Sequence, residues 1–549
     1  MNKVNVTIND KKYSFKSGIT LYDISKKFKS LFVLPIIGAL VNGEVKELSD
    51  TILSDCNISF FDRNTKEGST MYRNGLVFVL VYAVRKLYGK DASIKVCHSA
   101  SKGRRIKINF DIKKSDLKKI KDEMNRIIKS NLKIDKTLIK REEAIKYFKS
   151  CGNDDKASAF NYLRSNYIYL YKLGNVYDYF YSKMPSRCDV LDSFDLIYVD
   201  SNNFILQTCS LYTNKIPNYK CSPLILDAYN DYYKRAKKLD IFCGYDVNRA
   251  LSSGKIEDII KLDEVISNDR LLELAKDISS KKDKIKIVLI AGPSSSGKTT
   301  TARKLSMFLK TFGLNPKSLS TDDYFIPRDK TPRLANGEYD FENINTVDLK
   351  LFNDHLSRLL NCEEVSIPTF NFVKGEGEYL GNVLKLEEND ILIIEGLHGL
   401  NEKLTSLVPR ENKYKIYVAP LSDLNIDNHN MISTSDIRLL RKIVRDNRTR
   451  GFSVCDSIRT WRVVREGEEK YIYPYQDDVD YVYNTAFIYE IGVLKVFAEP
   501  LLFEVSIDSP YYREARRLID FLGLFLAIPN DVVPDDSLLC EFIGKSYFE

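Results

Sequence analysis

The chain has 549 residues, of which 44% are hydrophobic and 29% charged, and its net charge is +8 at pH 7. This length suggests about three or four domains, and the composition is that of a globular chain with ample core. The longest apolar run, residues 76–84, is too short to cross a bilayer, and the first ten residues lack a secretory signal. We therefore expect a cytoplasmic protein with no membrane partner.

Cysteine and histidine usage argues against metal and disulfide frameworks. The ten cysteines form no CxxC pair, and the chain has only four histidines. Neither a disulfide scaffold nor a cysteine-based zinc site is indicated, and histidine-rich metal catalysis is disfavoured.

Residues 1–62 alternate short strands with one helix. The segments KVNVTIND and KKYSFKSG flank an Asn-Asp turn, and a second strand pair turns on Asn42-Gly43. TLYDISKKF has helical spacing and a threonine at its predicted N-cap. This pattern resembles the TGS domain, a ubiquitin-like β-grasp module at the N terminus of threonyl-tRNA synthetase and in some GTPases.

Residues 63–235 continue this resemblance. KEGSTMYRNGLVFVLVYAVRKLYG is similar to the start of the synthetase's second additional domain, where the family carries an HxxxH pair that serves in editing. Tyr72 and Leu76 occupy the corresponding positions, so the editing chemistry should be absent. We expect an α+β scaffold or binding domain.

A basic stretch lies within this part of the chain. Residues 102–141 hold 15 Lys and Arg against 5 Asp and Glu. The stretch could bind RNA phosphates. Alternatively it is a solvated helix face with strand edges, since no aromatic stacking motif is interleaved with the charges.

The second half of the chain has a different pattern. Residues 236–283 are helical in period and end in a lysine-rich segment, which we interpret as a connector. Residues 284–500 alternate strands and helices, which predicts an α/β domain with a parallel sheet covered on both faces. We expect residues 501–549 to form an extension that packs on this domain.

KIKIVLIAGPSSSGKTTTARKL matches the phosphate-binding pattern GxxxxGK[ST] between an apolar strand and a helix. The glycines let backbone N–H groups turn toward phosphate, and the helix N terminus adds positive potential. Lys298 should reach the β- and γ-phosphates, and the Thr299 hydroxyl should bind Mg²⁺. The GTPase motifs NKxD and DxxG are missing downstream, so we expect an ATP site, with GTP left open as the donor. Its loop residues are Gly292, Pro293, Ser294, Ser295, Ser296, Gly297, Lys298, Thr299 and Thr300.

Two acidic residues follow predicted strands. Asp322, in TDDYF, could accept the proton of a hydroxyl that attacks the γ-phosphate, or it could merely cap a helix. Glu395 ends the apolar run ILIIE, where a P-loop enzyme places a carboxylate near Mg²⁺; the alternative is a surface glutamate. The predicted metal ligands are Thr299, Glu395 and Asp322.

SDIRLLRKIVRDNRTRG places four arginines, Arg438, Arg441, Arg445 and Arg448, on one face of a helix. Stacked arginines repel one another unless anions meet them. We therefore expect a lid helix that closes over the triphosphate and stabilises the transferred charge, with a solvated basic face as the alternative.

Throughout residues 284–500, the order and spacing of these motifs resemble the uridine kinase/phosphoribulokinase family. The resemblance implies a kinase that uses ATP and Mg²⁺, with Asp322 as the catalytic base and Glu342, in FENINTVD, on the ribose hydroxyls. It also implies a lid formed by Arg441, Arg445 and Arg450, the last as a further nucleotide-binding residue. The implied catalytic residues are Asp322, Lys298, Arg441 and Arg445. The implied acceptor-binding residues are Asp322, Tyr324, Glu342, Phe370 and Arg441.

One element departs from the family pattern. In IPTFNFVKGEGEY, Phe370 replaces a tyrosine, and Gly375 and Gly377 stand where the family has a histidine and an arginine. The tyrosine and histidine help to recognise the pyrimidine in that family. A site without these hydrogen bonds should not discriminate in the same way.

The acceptor is therefore predicted to be a nucleoside, phosphorylated at its 5′-hydroxyl, or another small sugar or cofactor precursor. A third hypothesis, from the TGS-like module and the basic stretch, is an RNA-associated regulator in which ATP binding is a switch. The sequence makes no prediction of oligomeric state.

Overall fold

A computed structural model of the chain describes residues 3–100, 103–209, 215–220, 222–334, 337–371 and 374–548. Mixed and antiparallel sheets make up the N-terminal half, and one parallel sheet organises the C-terminal half. The predicted multidomain fold class is therefore confirmed.

Residues 3–61 contain a five-stranded sheet in the order β2-β1-β7-β4-β5, in which β1 and β7 pair in parallel and the other neighbours pair antiparallel. Asn9 and Asp10 turn between β1 and β2 at φ of 48° and 61°, as expected for the Asn-Asp turn. The elements are β1 (Lys3–Ile8), β2 (Lys11–Lys16), β3 (Ile19–Thr20), α1 (Leu21–Ser25), β4 (Gly38–Val41), β5 (Glu44–Glu47), β6 (Thr51–Ile52) and β7 (Cys56–Phe61).

The next part contains two antiparallel sheets, β13-β14-β9-β8 and β10-β11-β12, and a long buried helix. The Tyr72 hydroxyl donates to the Ser193 carbonyl at 2.8 Å, and Leu76 is fully buried in the core. Both side chains are thus used in packing. The elements are α2 (Lys66–Tyr88), β8 (Ile94–Ala100), β9 (Gly103–Ile108), α3 (Lys114–Lys129), β10 (Asp135–Lys140), α4 (Arg141–Ser150), α5 (Asp154–Ala159), β11 (Tyr167–Leu173), β12 (Val176–Asp178), β13 (Phe194–Asp200) and β14 (Asn203–Thr208).

The basic stretch runs through β9, α3 and β10; Lys102 lies outside the described residues. On α3, Lys119 pairs with Asp116 at 3.1 Å, and Arg126 pairs with Glu123 at 2.7 Å. Both basic side chains are largely exposed. This helix therefore presents a solvated face on which short-range ion pairs offset part of the charge.

Residues 223–280 form three helices, α6 (Pro223–Lys238), α7 (Gly244–Ser252) and α8 (Ile256–Ser280). Along α8, Leu271, Leu274 and Ile278 are fully buried in the same cluster as strand residues of the parallel sheet. The segment we interpreted as a connector is thus also part of the C-terminal core.

The C-terminal half is built on five parallel strands in the order β16-β21-β15-β22-β23. All five residues of β15, IVLIA, are buried, as expected when helices cover both faces. The elements are β15 (Ile287–Ala291), α9 (Lys298–Thr311), β16 (Asn315–Ser320), α10 (Leu349–Leu360), β17 (Val365–Ser366), β18 (Thr369–Asn371), β19 (Glu376–Glu378), β20 (Val383–Leu384), β21 (Asp390–Glu395), β22 (Lys413–Ala419), α11 (Thr434–Arg450), α12 (Val454–Tyr471), β23 (Tyr481–Asn484), α13 (Glu490–Phe503), α14 (Tyr512–Leu522) and α15 (Cys540–Ile543).

The two halves meet at a loop that follows β22. The Val96 amide donates to the Asn428 carbonyl at 2.8 Å, and Lys156 of the N-terminal half forms a buried ion pair with Asp178 beside His429. Charges this deeply buried require partners, so the contact is specific. Within the described ranges, no helix is both long and apolar enough to span a bilayer.

Candidate active site

The phosphate-binding loop lies between the end of β15 and the start of α9. Gly297 has φ of +87°, in the left-handed region that favours glycine, and it precedes the first helical residue, Lys298. Neighbouring segments hold the loop from behind: Arg438 Nε donates to the Ser294 carbonyl at 3.0 Å, and Thr485 Oγ1 donates to the Ser296 carbonyl at 2.7 Å. The loop is thus preformed by contacts beyond its own sequence.

The carboxyl ends of β16 and β21 bring the acidic residues to this loop. Ser320 and Glu395 are register partners, and Ser320 Oγ donates to Glu395 Oε1 at 3.1 Å. Thr299 Oγ1 lies 3.5 Å from the same carboxylate oxygen. Asp322 follows in a short 3-10 turn, and the Asp322 amide donates to Ser320 Oγ at 3.3 Å. The fold therefore gathers the three predicted metal ligands at one sheet edge.

Burial and charge perturb these groups. Burial raises the pKa of Asp322, whereas Lys298, Arg450 and Arg445 counteract the rise. Burial, with the charge of Asp322 nearby, raises the pKa of Glu395 to about 7. Burial lowers the pKa of Lys298, and the same two carboxylates oppose that change. Perturbed groups held in close electrostatic contact are typical of functional sites.

These residues fit an Mg²⁺–triphosphate group. The Oγ atoms of Ser295 and Ser296 are buried and have no hydrogen-bond partner among the described residues, as expected of a cradle that phosphate oxygens complete. Across the described chain, no group of three or more His, Cys, Asp and Glu side chains is arranged to hold a metal alone. Two carboxylates and a hydroxyl match instead the way Mg²⁺ is bound together with substrate phosphates.

The helix with the arginine row, α11, is not a lid, and that prediction was wrong. Ile443 and Leu440 are fully buried in the main core. Arg441 is also fully buried, and it donates to Glu490 Oε2 and to the Thr485 carbonyl, each at 2.7 Å. Its predicted role over the transferred phosphoryl group is wrong, because its guanidinium faces the protein interior.

Of the other arginines of α11, two bind neighbouring segments of the fold and two lie near the candidate active site. Arg438 binds Glu468 through both terminal nitrogens, and Arg448 donates to the Glu541 carbonyl at 3.0 Å. Arg445 donates to the neighbouring Asp446 at 2.7 Å, and Arg450 is half-exposed at 3.6 Å from the same carboxylate. Of the α11 arginines, Arg445 and Arg450 are the two whose charges, with that of Lys298, oppose the rise of the Asp322 pKa.

The predicted acceptor residues Tyr324 and Phe370 have different surroundings in the structure. Tyr324 is buried, packs against Phe352 and bonds His355 Nδ1 at 3.0 Å through its hydroxyl, so its predicted role as an acceptor ligand is wrong. Phe370 lies beside the acidic turn, and its amide donates to Asp323 at 3.4 Å.

Glu342 is also buried, and a side chain at Gly467 would clash with it. Burial, aided by the charges of Glu468 and Asp340, raises its pKa to about 8. His398 is also buried, which lowers its pKa to about 4, and Lys298 contributes to that shift. A neutral carboxyl and a neutral imidazole thus lie near the loop lysine. Sequence reasoning missed His398, although its place three residues after Glu395 was a usable signal.

Comparison with known proteins agrees with this geometry. The model of the family described as Phosphoribulokinase / Uridine kinase family matches residues 287–487. The C-terminal half carries a domain of this family. The matched range runs from the start of β15 to Phe487, just before α13, and so contains the loop, both carboxylates and α11.

Other similarities cover separate parts of the chain. Threonine–tRNA ligase of Finegoldia magna is 30% identical over 238 residues, 41% of this chain and 36% of that protein. The enzyme of Clostridioides difficile is 32% identical over 167 residues, 30% of this chain and 26% of that protein. The chain thus spans about a third or less of the length of these ligases. The N-terminal half is the part that is similar to them.

Two solved structures of kinases are similar to part of this chain. One described as a possible uridine kinase from Bacillus stearothermophilus is 19% identical, with a TM-score of 0.28, over 39% of this chain and 98% of that one. D-glycerate 3-kinase of Cryptococcus neoformans is 16% identical, with a TM-score of 0.23, over 48% and 89%.

Proposed function

We propose that this protein transfers the γ-phosphoryl group of ATP to the 5′-hydroxyl of a nucleoside. The observation that supports this is the convergence of Lys298, Asp322 and Glu395 on one phosphate-binding loop. The family of the C-terminal domain supports a kinase, and the buried carboxyl of Glu342 supports an acceptor with hydroxyl groups.

In this mechanism the chain positions the reactants and neutralises charge. The loop amides and Lys298 hold the triphosphate. The hydroxyl oxygen of the acceptor bonds to Pγ while Asp322 takes up the hydroxyl proton, and the bond from Pγ to the bridging oxygen breaks. ADP leaves with that bridging oxygen. Thr299 and Glu395 would hold Mg²⁺, which supplies charge neutralisation on the phosphate oxygens. Arg445 and Arg450 stabilise the transferring group.

ATP consumption against a panel of nucleosides, sugars and cofactor precursors tests the proposal. Stimulation by one nucleoside, with phosphate found on its 5′-oxygen, is the expected result. Asp322→Asn should lower the rate about a hundredfold or more, because general-base catalysis is lost. Asp323→Asn is the matched control, since that neighbour binds the Phe370 amide. Full activity of Asp322→Asn would refute the base assignment.

A second candidate is a kinase for another small sugar or cofactor precursor. Its support is Gly375, at φ +77°, where an added Cβ would lie 2.9 Å from Arg328 Cβ. A histidine cannot fit there without moving Arg328. Stimulation by a non-nucleoside member of the panel would favour this candidate.

An ATP-binding regulator associated with RNA is the third candidate, supported by the basic stretch. It predicts RNA binding that weakens steeply with salt, together with no acceptor-stimulated ATP turnover.

A further inference from the structure

A segment near the end of the chain crosses the phosphate-binding loop. We name residues 534–548 the C-terminal strap. Leu538 packs over Gly297, where an added Cβ would lie 2.5 Å from Leu538 Cδ2. Lys304 of α9 donates to the Asp536 carbonyl at 2.8 Å, and Arg448 of α11 donates to the Glu541 carbonyl. The strap is therefore tied to both helices that border the loop.

Glu541 of this strap binds the N terminus of α9. Its Oε2 accepts from Thr300 Oγ1 at 2.8 Å and from the Thr300 amide at 3.2 Å. Thr300 is the third helical residue after Gly297, so its amide belongs to the first turn, whose N–H groups have no intrahelical partner. In a loop of this type such amides cradle the α- and β-phosphates of the nucleotide.

The carboxylate also acts on the catalytic groups. Its charge raises the pKa of Glu395 and opposes the lowering of the Lys298 pKa. A carboxylate and a phosphate cannot share one amide and one hydroxyl, because both are acceptors and both are negative. The strap and a nucleotide phosphate therefore compete for Thr300.

We propose that Glu541 is an internal competitor of the donor nucleotide, and that productive ATP binding displaces it from Thr300. This inference rests on the proposed function for the identity of the ligand. The strap-bound form is then the closed form of the donor site, and the apparent affinity for ATP is reduced by the fraction of molecules in that form. If the nucleotide phosphates do not use Thr300, Glu541 is only a helix cap, and ATP binding leaves it in place.

ATP binding to the full chain separates these cases. Glu541→Gln keeps the side-chain size and removes the charge, so its Kd for ATP should fall on the order of tenfold. Asp535→Asn makes the same charge change on the same strap at an exposed position, and its Kd should stay unchanged. A Glu541→Gln protein with unchanged or weaker affinity would overturn the proposal.

Amide hydrogen exchange of the unmodified chain gives an independent test of the proposal. Saturating ATP should slow exchange at residues 292–301 and speed it at residues 540–548. Slower exchange at both segments would show that the strap stays in place, and would overturn the proposal even though ATP binds. If the loop is not protected and no variant binds ATP, the proposed function fails, and the strap inference fails with it.

Discussion

The donor side and the acceptor side of the candidate site are built in different ways. The donor side comes from one continuous segment, residues 292–300, whose backbone supplies most of the contacts expected with phosphate. The proposed acceptor side draws on side chains from separate segments, among them Glu342 and Phe370. A continuous segment carries its geometry locally, whereas separated side chains depend on the packing of everything between them.

Burial shows the same contrast. The loop faces a cradle in which Ser295 and Ser296 keep unpartnered hydroxyls among the described residues. Burial and the neighbouring acids raise the pKa of Glu342, on the proposed acceptor side, to about 8. We therefore propose that the donor side recognises phosphate through its loop, whereas the acceptor side depends on the ionisation of Glu342. The following changes test that difference.

Lys298→Ala should have the largest effect. The lysine is proposed to bind the transferring phosphates, so its loss should lower turnover about a hundred- to a thousandfold. Among the described residues, its ammonium group donates one hydrogen bond, to the Pro293 carbonyl at 3.3 Å, so the melting temperature should hardly change. Lys310→Ala, at an exposed position of the same helix, is the control. Turnover within twofold of wild type in Lys298→Ala would end the assignment of the donor side.

Arg441→Met and Arg445→Met distinguish an arginine that stabilises the fold from one that acts in the candidate site. Arg441→Met leaves the Glu490 carboxylate buried without its partner, which should cost about 3–5 kcal/mol of unfolding free energy. Arg445→Met should cost less, since Asp446 keeps Lys442 and Arg450 as partners, but it should lower turnover. Denaturant unfolding and steady-state kinetics measure the two quantities. Equal losses of stability in the two variants would contradict the different roles of Arg441 and Arg445.

Glu342→Gln should have the smallest effect, on the pH dependence of stability. The pKa of Glu342 is raised from 4.5 to about 8, so folding takes up a proton between these values. Wild-type stability should therefore fall as pH rises from 5 to 8, by about 1 kcal/mol per unit from this group. Glu342→Gln should remove that part of the slope. The raised pKa of Glu395 also makes stability fall as pH rises to about 7. The quantity to measure is therefore the difference in slope between the wild type and Glu342→Gln.

A matched control for this test is Glu376→Gln, an exposed glutamate of a nearby hairpin. It should keep the wild-type slope in unfolding midpoints measured from pH 5 to 9. If Glu342→Gln keeps that slope as well, the carboxyl is ionised in the folded protein and the acceptor side is not tuned in this way.

Sequence patterns predicted the elements whose rules are local. The Asn-Asp and Asn42-Gly43 turns, the Thr20 cap and the buried strand before the loop all follow from neighbouring residues. The arginine row shows where such rules fail. Helical spacing placed Arg441 and Arg445 on one face, but it carried no information on which of them meets Glu490.

Tyr324 and Glu541 also have contacts that local sequence patterns do not predict. Tyr324 adjoins two acidic residues in sequence, yet tertiary packing turns it into the core against His355. Glu541 lies 241 residues from Thr300, so no local pattern could predict their hydrogen bond. Contacts of this range are decided by the docking of helices on a sheet.

The sequence by itself determined the phosphate-binding loop, the order of strands and helices around it and the carboxylates at the strand ends, because these depend on short-range backbone and burial rules. Tertiary structure alone decided which charged side chains face the loop, which are neutralised in the core, and that the C-terminal strap lies on Thr300. The reason is physical: a buried charge is placed by the partner that compensates its desolvation, and these partners are far apart in the chain.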